Sequence, residues 1–427
     1  MTTVATRPEV AAREEANLRA VERLATSRPL LVDVAPAGDV IPGLGHSTLL
    51  TSGAPLEPEQ YTGVQRQAIV GGALFEGLAS SPEEAWDAVV GGSIELAACH
   101  DHATVGSVAG VCSASMPVFV VEDAESGARG FCLLYEGRQP ERLTFGVYNP
   151  AVADQLRFLR DVVAPTLHRA LAETGPIEVK TVMRRALLAG DELHSRNTAA
   201  TLFLTRELMP GFLSVARRDH DAVAATLGFI AASDQFFLHV GMASAKLAAD
   251  SAHGVEGSSV VTAMTASCRE FAIRLSGCGP AWFRAPVPIV AAKCFEGFSQ
   301  DDVAPMPGES LIMETIGLGG SAAAAAFALS NYSGGTAALM RDMSESAYEF
   351  SVGEHPELRI PFFDGRGTAL GIDAFRVVER GIVPRIHAGA ADRRGGHIGA
   401  GVMTAPMECF EQACAGLAAA PATTTSP

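Results

Sequence analysis

The strongest constraint on the fold is a change of pattern near residue 150. Ahead of it, short β-branched runs such as PLLVDVAPA (29–37) are stopped by proline and glycine, which reads as strands joined by loops. From AVADQLRFLRDVVAPTLHRALAET (151–174) through VKTVMRRALLAGDELHSRNTAATLFLTRELMPGFLSVA (179–216), apolar positions instead recur at helical spacing with few breaks up to residue 230. Beyond 230 the two textures mix. Strict strand–helix alternation is missing, so the pattern predicts an α+β, multi-domain chain with mixed sheets and a small, mostly helical subdomain. The boundaries read as an N-terminal α/β domain over 1–150, a helical subdomain over 151–230 and a C-terminal α+β domain over 231–417. A low-complexity tail over 418–427 is expected to be disordered.

Within those segments an amphipathic helix is expected over 9–27, and further helices over 60–79, 82–90 and 406–419. SIELAAC (93–99) reads as a buried strand, and SMPVFVVED with GFCLLYEG as a hairpin around SGARG. SSVVTAMTAS, EFAIRLSG and PVPIVAA read as strands, and 317–330 as a glycine-rich turn leading into an Ala-rich helix. The stretch GAADRRGGHIGAGV (389–402) reads as a glycine-rich tail region ahead of the last helix. There is no internal repeat.

Charge narrows the partners. The net charge of −16, with no Lys/Arg-rich run, argues against nucleic acid and against anionic membrane surfaces. No stretch approaches the ~18 strongly apolar residues of a membrane span. Glu9, Arg13, Glu14 and Glu15 fall where a signal peptide would need an apolar stretch. The eight cysteines form no CxxC pair, so free thiols and a cytoplasmic location are expected. Only 19% of residues are charged and mean hydropathy is +0.20, which points to a buried subunit interface and at least a homodimer.

Four segments carry side chains suited to chemistry. Cys99-His100-Asp101-His102 follows an apolar strand; on an extended backbone His100 and His102 face the same way, as an acid–base pair or two metal ligands require. A polar strand end with hydrogen-bonded histidines is the alternative. Asp191-Glu192-Leu193-His194-Ser195-Arg196-Asn197 lies in a helical pattern, with Glu192 and Arg196 on one face and His194 and Asn197 on another. That mixture suits a polar ligand, or a helix cap with a surface ion pair. His253 and Ser258, in the Asp250–Ser259 joint, suit an amide or carboxylate, or an ordinary helix end. Glu314, Gly317, Gly319 and Gly320 precede the Ala-rich helix, where free N–H groups and the helix dipole would receive an anion; close packing explains the glycines equally well. No GxSxG, HExxH or kinase motif occurs.

Taken in order, LLVDVAPAGDVIPGL, CHDHATVGSVAGVCSASMPVFVVE, DELHSRNTAAT, DSAHGVEGSSVVTAM, METIGLGG and APMECFEQA resemble the YlbE-like family over residues 17–415. That family includes a subunit of oxamate carbamoyltransferase. Cys99, His100 and His102 match the family's first cluster and Asp101 departs from it. Asp191, Glu192, His194, Arg196 and Asn197 match the second, with Ser195 as a departure. Cys112, His387 and ADRRGGHIG also diverge, Cys112 standing where an aliphatic residue is typical. The resemblance implies conversion of oxalurate and phosphate into oxamate and carbamoyl phosphate, or the reverse, with companion subunits. No cofactor is firmly implied, although a divalent metal is compatible.

In such a reaction the Gly317–Gly320 turn would cradle phosphate and Arg196 would present a planar fork to phosphate or carboxylate. His100 or His102 would move the proton, Asn197 would orient the carbamoyl group, and Glu192 would position His194 or Arg196. Cys99 is the candidate nucleophile should a covalent step exist. Two other readings stay open: a stand-alone metal-dependent amidohydrolase using His100, His102 and His194, and a non-catalytic structural subunit.

Overall fold

Buried Ala16, Ala20 and Leu24 recur every four residues along the opening helix Arg7–Thr26, and their stripe seats it on the body of the protein. The computed structural model describes residues 7–419. The chain then enters strand Pro29–Pro36, which pairs antiparallel with Pro117–Asp123; the latter forms the expected hairpin with Arg129–Leu133. Short edges Thr104–Val105 and Ile177–Glu178 complete a five-stranded sheet. Helix Phe236–Ser251 packs on this sheet, buried continuously from Phe236 to Ala249. The approach is close: a Cβ on Gly130 would lie 2.5 Å from the Ala243 carbonyl oxygen.

Helices dominate between the sheet and residue 231: Pro150–Phe158, Ala164–Thr174, Val179–Leu188, Thr198–Ala216 and His220–Ala231. Asn149 and Asp219 cap two of them through side-chain bonds to Val152 and Ala222 N–H groups. The largest apolar core takes Leu31 and Phe119 from the sheet, Leu204 and Phe212 from these helices, and Phe236 and Leu358 from beyond. A second core lies under Val261–Ala266 and Glu270–Leu275, and a third around Leu49, Leu50 and Ile69. Strand Thr48–Thr51 runs parallel to Glu95–Ala98, and this small pair aims the chain toward the site described below. No single helix among the described residues is long and apolar enough to cross a membrane. The pair His220–Ala231 and Phe236–Ser251 bends by 82° between its halves.

Several expectations are corrected. Residues 191–197 are not helical: the chain leaves helix Val179–Leu188 through Gly190 and turns, with Leu193 at φ +70°. Cys99–His102 is a tight 3-10 turn, not an extended strand end, so His100 and His102 diverge. The Ala-rich segment forms the 3-10 turns Gly319–Ala325 and Phe327–Leu329, not an α-helix. PVPIVAA is irregular through 287–290, with strands Phe283–Pro286 and Ala291–Cys294 on either side. The glycine-rich region at 389–402 is a hairpin: Arg385–Ala391 and His397–Thr404 pair antiparallel around it. The tail expected at 418–427 lies outside the described residues except for Ala418 and Ala419, which end the helix Met407–Ala419.

Candidate functional site

The parallel strand pair delivers Cys99 and His100 into the interior, and glycines make room beside them. A Cβ on Gly106 would stand 2.5 Å from Gly110 Cα, so these two backbone segments touch. Into this space projects Glu309, fully buried, accepting from Gly106 N–H at 2.6 Å, Gly53 N–H at 3.1 Å and Thr265 Oγ1 at 3.3 Å. His100 Nε2 lies 3.8 Å from Glu309 Oε1. Burial pushes the Glu309 carboxyl up to about 7, against the pull of those N–H groups. Burial, reinforced by Lys246 and Arg274, holds His100 well below the usual imidazole range. A neutral imidazole therefore faces a carboxyl group that titrates near neutrality.

Cations and an indole complete the cluster. The Arg274 guanidinium bonds Asp101 at 2.6 Å and lies 4.1 Å from the centre of the Trp282 ring. Trp282 in turn meets His100 edge to face at 5.5 Å. Lys246, buried in the apolar helix, bonds Asp250 at 2.5 Å. His253 bonds Thr262 Oγ1 at 2.9 Å, and burial followed by Arg274 lowers its proton affinity, which ties it to this group. Both His100 ring nitrogens, Arg274 Nε and Trp282 Nε1 are buried without a partner. A neutral imidazole has one donor and one acceptor nitrogen, so three N–H donors and one acceptor lie here without partners, an arrangement native proteins seldom leave idle. Cys99 is buried beside them, and burial, with Glu309 adding, raises its thiol well above the ordinary value. A thiol held neutral in this way is a poor nucleophile.

A second cluster gathers most of the remaining sequence candidates. Glu192 accepts N–H bonds from His194, Ser195 and Arg196 at 3.0, 2.5 and 3.0 Å, which folds residues 191–197 into a closed turn. His194 Nδ1 lies 2.8 Å from Glu314 Oε1, both buried. Burial opposes protonation of His194, but the Glu314 charge and hydrogen bond prevail and raise its pKa. Burial carries Glu192 up to about 7 and Asp191 up to about 6. Arg196 Nε donates to the Gly190 carbonyl, and Asn197 Nδ2 to His194 O and Gln235 Oε1.

The glycine turn serves this cluster. Gly317 N–H donates to Glu314 O, Gly319 N–H to Glu192 O and Gly320 N–H to Glu314 Oε1. The groups expected to cradle phosphate are thus committed to the protein's own acceptors. A Cβ on Gly319 would sit 2.1 Å from Glu314 Oε1.

Two candidates stand apart from both clusters. His102 Nδ1 meets the Pro42 carbonyl at 3.2 Å, and Ser258 Oγ donates to Asn17 Oδ1 at 3.0 Å. Among the described residues no group of three or more His, Cys, Asp or Glu side chains is arranged to hold a metal ion. His100, His102 and His194 have different partners, so the ligand set of the amidohydrolase reading does not assemble. Sequence reasoning missed Lys246, Arg274, Trp282 and Glu309. Lys246 carried a usable signal, as the only charged residue of Phe236–Ala249; Glu309 had none outside the fold.

The fold is α+β, and the cluster at His100 and Glu309 leaves buried nitrogens on His100, Arg274 and Trp282 without partners in the protein. The family model described as "Oxamate carbamoyltransferase subunit AllG" matches residues 94–310. Oxamate carbamoyltransferase subunit AllG of Escherichia coli K12 is 40% identical over 95% of this chain and 97% of its own length. The uncharacterized protein YahG of the same organism is 37% identical over 94% of this chain and 85% of its own length. A crystal structure of a conserved protein of unknown function from Enterococcus faecalis V583 superposes with TM-score 0.93 at 35% identity, covering 96% of this chain and 99% of that one. The chain belongs to the AllG family.

Proposed function

We propose that this chain is a subunit of an oxamate carbamoyltransferase and that its His100–Glu309 pocket binds the small ureido or carbamoyl substrate. The reaction is phosphorolysis of oxalurate to oxamate and carbamoyl phosphate, or its reverse, carried out with companion subunits in the cytoplasm. The observation that carries this reading is the set of four buried, unpartnered nitrogen positions on His100, Arg274 and Trp282. The name of the 40% identical relative gives them a reaction to serve.

In the forward direction a phosphate oxygen attacks the carbamoyl carbon of oxalurate. The bond from that carbon to the oxamate nitrogen breaks, and the departing nitrogen takes up a proton. Glu309, protonated below about pH 7, can feed that proton through His100. Arg274 Nε–H and Trp282 Nε1–H suit the oxygen on which charge develops at the tetrahedral carbon. Lys246 adds positive field to a pocket that must accept anions. In reverse, the oxamate nitrogen attacks the carbamoyl carbon of carbamoyl phosphate and gives its proton to neutral His100. The bond from that carbon to the phosphate oxygen breaks and releases phosphate. The neutral Cys99 thiol favours direct transfer over a covalent thiocarbamate.

The test is turnover by the full-length chain, alone and co-expressed with the products of neighbouring genes, on oxalurate plus phosphate and on oxamate plus carbamoyl phosphate. Carbamoyl phosphate made or consumed by the assembled complex, and lost in His100→Asn, is the expected result. Full activity in a correctly assembled His100→Asn complex would leave this chain a structural subunit.

A further inference from the structure

A separate cleft opens where the loop after strand Arg129–Leu133 meets helix Pro150–Phe158, and it shares no lining residue with either cluster above. It encloses about 520 Å³ and is lined by Glu136, Gln139, Glu141, Arg142, Val152 and Gln155, among others. That volume is within the usual range for small-molecule sites. Arg142 is only 5% exposed. Its Nη1 donates to Tyr135 Oη at 2.9 Å and to the Gly137 carbonyl at 2.5 Å, and its guanidinium lies 4.5 Å from the Phe145 ring centre. The guanidinium is therefore fixed before any ligand arrives.

Two residues that line the cleft each carry a buried donor without an acceptor, Arg142 Nε and Gln155 Nε2. The nearby carboxylates are engaged elsewhere: Glu136 accepts from Leu143 and Thr144 N–H at 2.7 and 3.1 Å, and Glu141 accepts from Asn149 at 2.8 Å. Burial raises the Glu136 pKa despite the nearby Arg142, which weakens its claim on that cation. A buried guanidinium N–H and a carboxamide N–H in one cleft match the oxygens of a carboxylate.

We propose that this cleft is a second ligand site, taking a small carboxylate whose oxygens accept from Arg142 Nε and Gln155 Nε2. The assignment stands independently of the reaction proposed for the His100 pocket. The full-length protein is titrated with acetate, malonate, succinate and malonamide, with binding followed by ligand-observed NMR. At least one carboxylate is expected to saturate, with binding weakened at least about tenfold in Gln155→Leu and in Arg142→Met and unchanged in His100→Asn. Malonamide, which lacks the charge, is expected to bind at least about tenfold more weakly than malonate.

The proposal is overturned if none of the three carboxylates saturates, or if Gln155→Leu binds like the parent. Loss in His100→Asn would assign the binding to the other pocket, and equal affinity for malonamide would remove the carboxylate specificity. Should Arg142→Met fail to fold, Gln155→Leu decides alone, because that amide nitrogen bonds nothing in the protein.

Discussion

The His194–Glu314 cluster and the His100–Glu309 cluster are built from the same residue types at similar burial, yet their hydrogen bonding differs in kind. Around Glu314 and Glu192, the N–H groups of His194, Ser195, Arg196, Gly319 and Gly320 all have acceptors within the protein. The carboxylate and amide oxygens there without a hydrogen-bond partner are Glu314 Oε2, Asp191 Oδ1 and Asn197 Oδ1, all acceptors. Around Glu309 the surplus lies on nitrogen, at His100, Arg274 and Trp282. A buried imidazole paired with a carboxylate holds a turn in place, whereas a buried imidazole with both nitrogens unpaired is left with its hydrogen-bonding capacity unused. Side-chain identity alone does not separate the two clusters; the saturation of their hydrogen bonds does, and on the proposed function that difference marks the ligand-binding one.

The sharpest way to break this comparison is to remove the two histidines separately. His100→Asn is expected to lower kcat/KM of the assembled complex by about 10³-fold, about 4 kcal/mol of transition-state stabilisation, with little change in melting temperature. His194→Ala is expected to act on folding instead. It strands the buried Glu314 carboxylate and should cost about 3–5 kcal/mol in urea denaturation. Gly319→Val belongs with His194: at φ +60° and with its Cβ driven into Glu314, it should cost about 2–4 kcal/mol. If His100→Asn destabilised the chain like His194→Ala while both left turnover alone, the two clusters would be equivalent and the contrast would fail.

The same contrast explains what could be read in advance. Periodicity located the opening helix, the 117–133 hairpin and the helical stretch, because each depends on local spacing. It failed at 191–197, where three N–H bonds to Glu192 outcompete a helix that Glu192, Leu193 and Arg196 would otherwise favour. It failed again at 319–325, where the glycines and alanines wrap Glu314 in a 3-10 turn. Cys99 and His100 were legible from their density and from the resemblance. Their counterparts were not: Glu309 and Arg274 reach His100 from about 210 and 174 residues away, and no short spacing records such contacts. The histidines stood out in the sequence, but only the fold shows which has an unfilled neighbourhood.

A milder change sharpens the ligand side of the comparison. Trp282→Phe keeps an aromatic face for Arg274 and an edge for His100 but deletes the idle Nε1–H. Losing one hydrogen bond to a bound oxygen is expected to raise the substrate KM about tenfold, about 1.4 kcal/mol, with stability unchanged. An unaltered KM would mean that the indole only packs.

The smallest effect is the pH dependence of stability, and its sign follows from burial. Glu309 keeps its proton in the folded protein up to about pH 7, whereas in the unfolded chain it loses it near 4.5. Between those values the native state binds more protons, so the Glu309 contribution to stability falls as pH rises and is gone above about 7. Glu192 and Asp191 act in the same direction over much of this window. The buried histidines His100, His239 and His397, with lowered pKa values, oppose them, since their contribution is lost as pH falls below about 6.5. Melting of the parent alone therefore mixes opposing slopes. The difference between Glu309→Gln and the parent isolates one group, because all the others are common to both. That difference should move in favour of the variant from pH 5 to pH 7 and level off by pH 8. A constant difference over that range would make Glu309 an ordinary ionised carboxylate, with no proton to deliver through His100 at neutral pH.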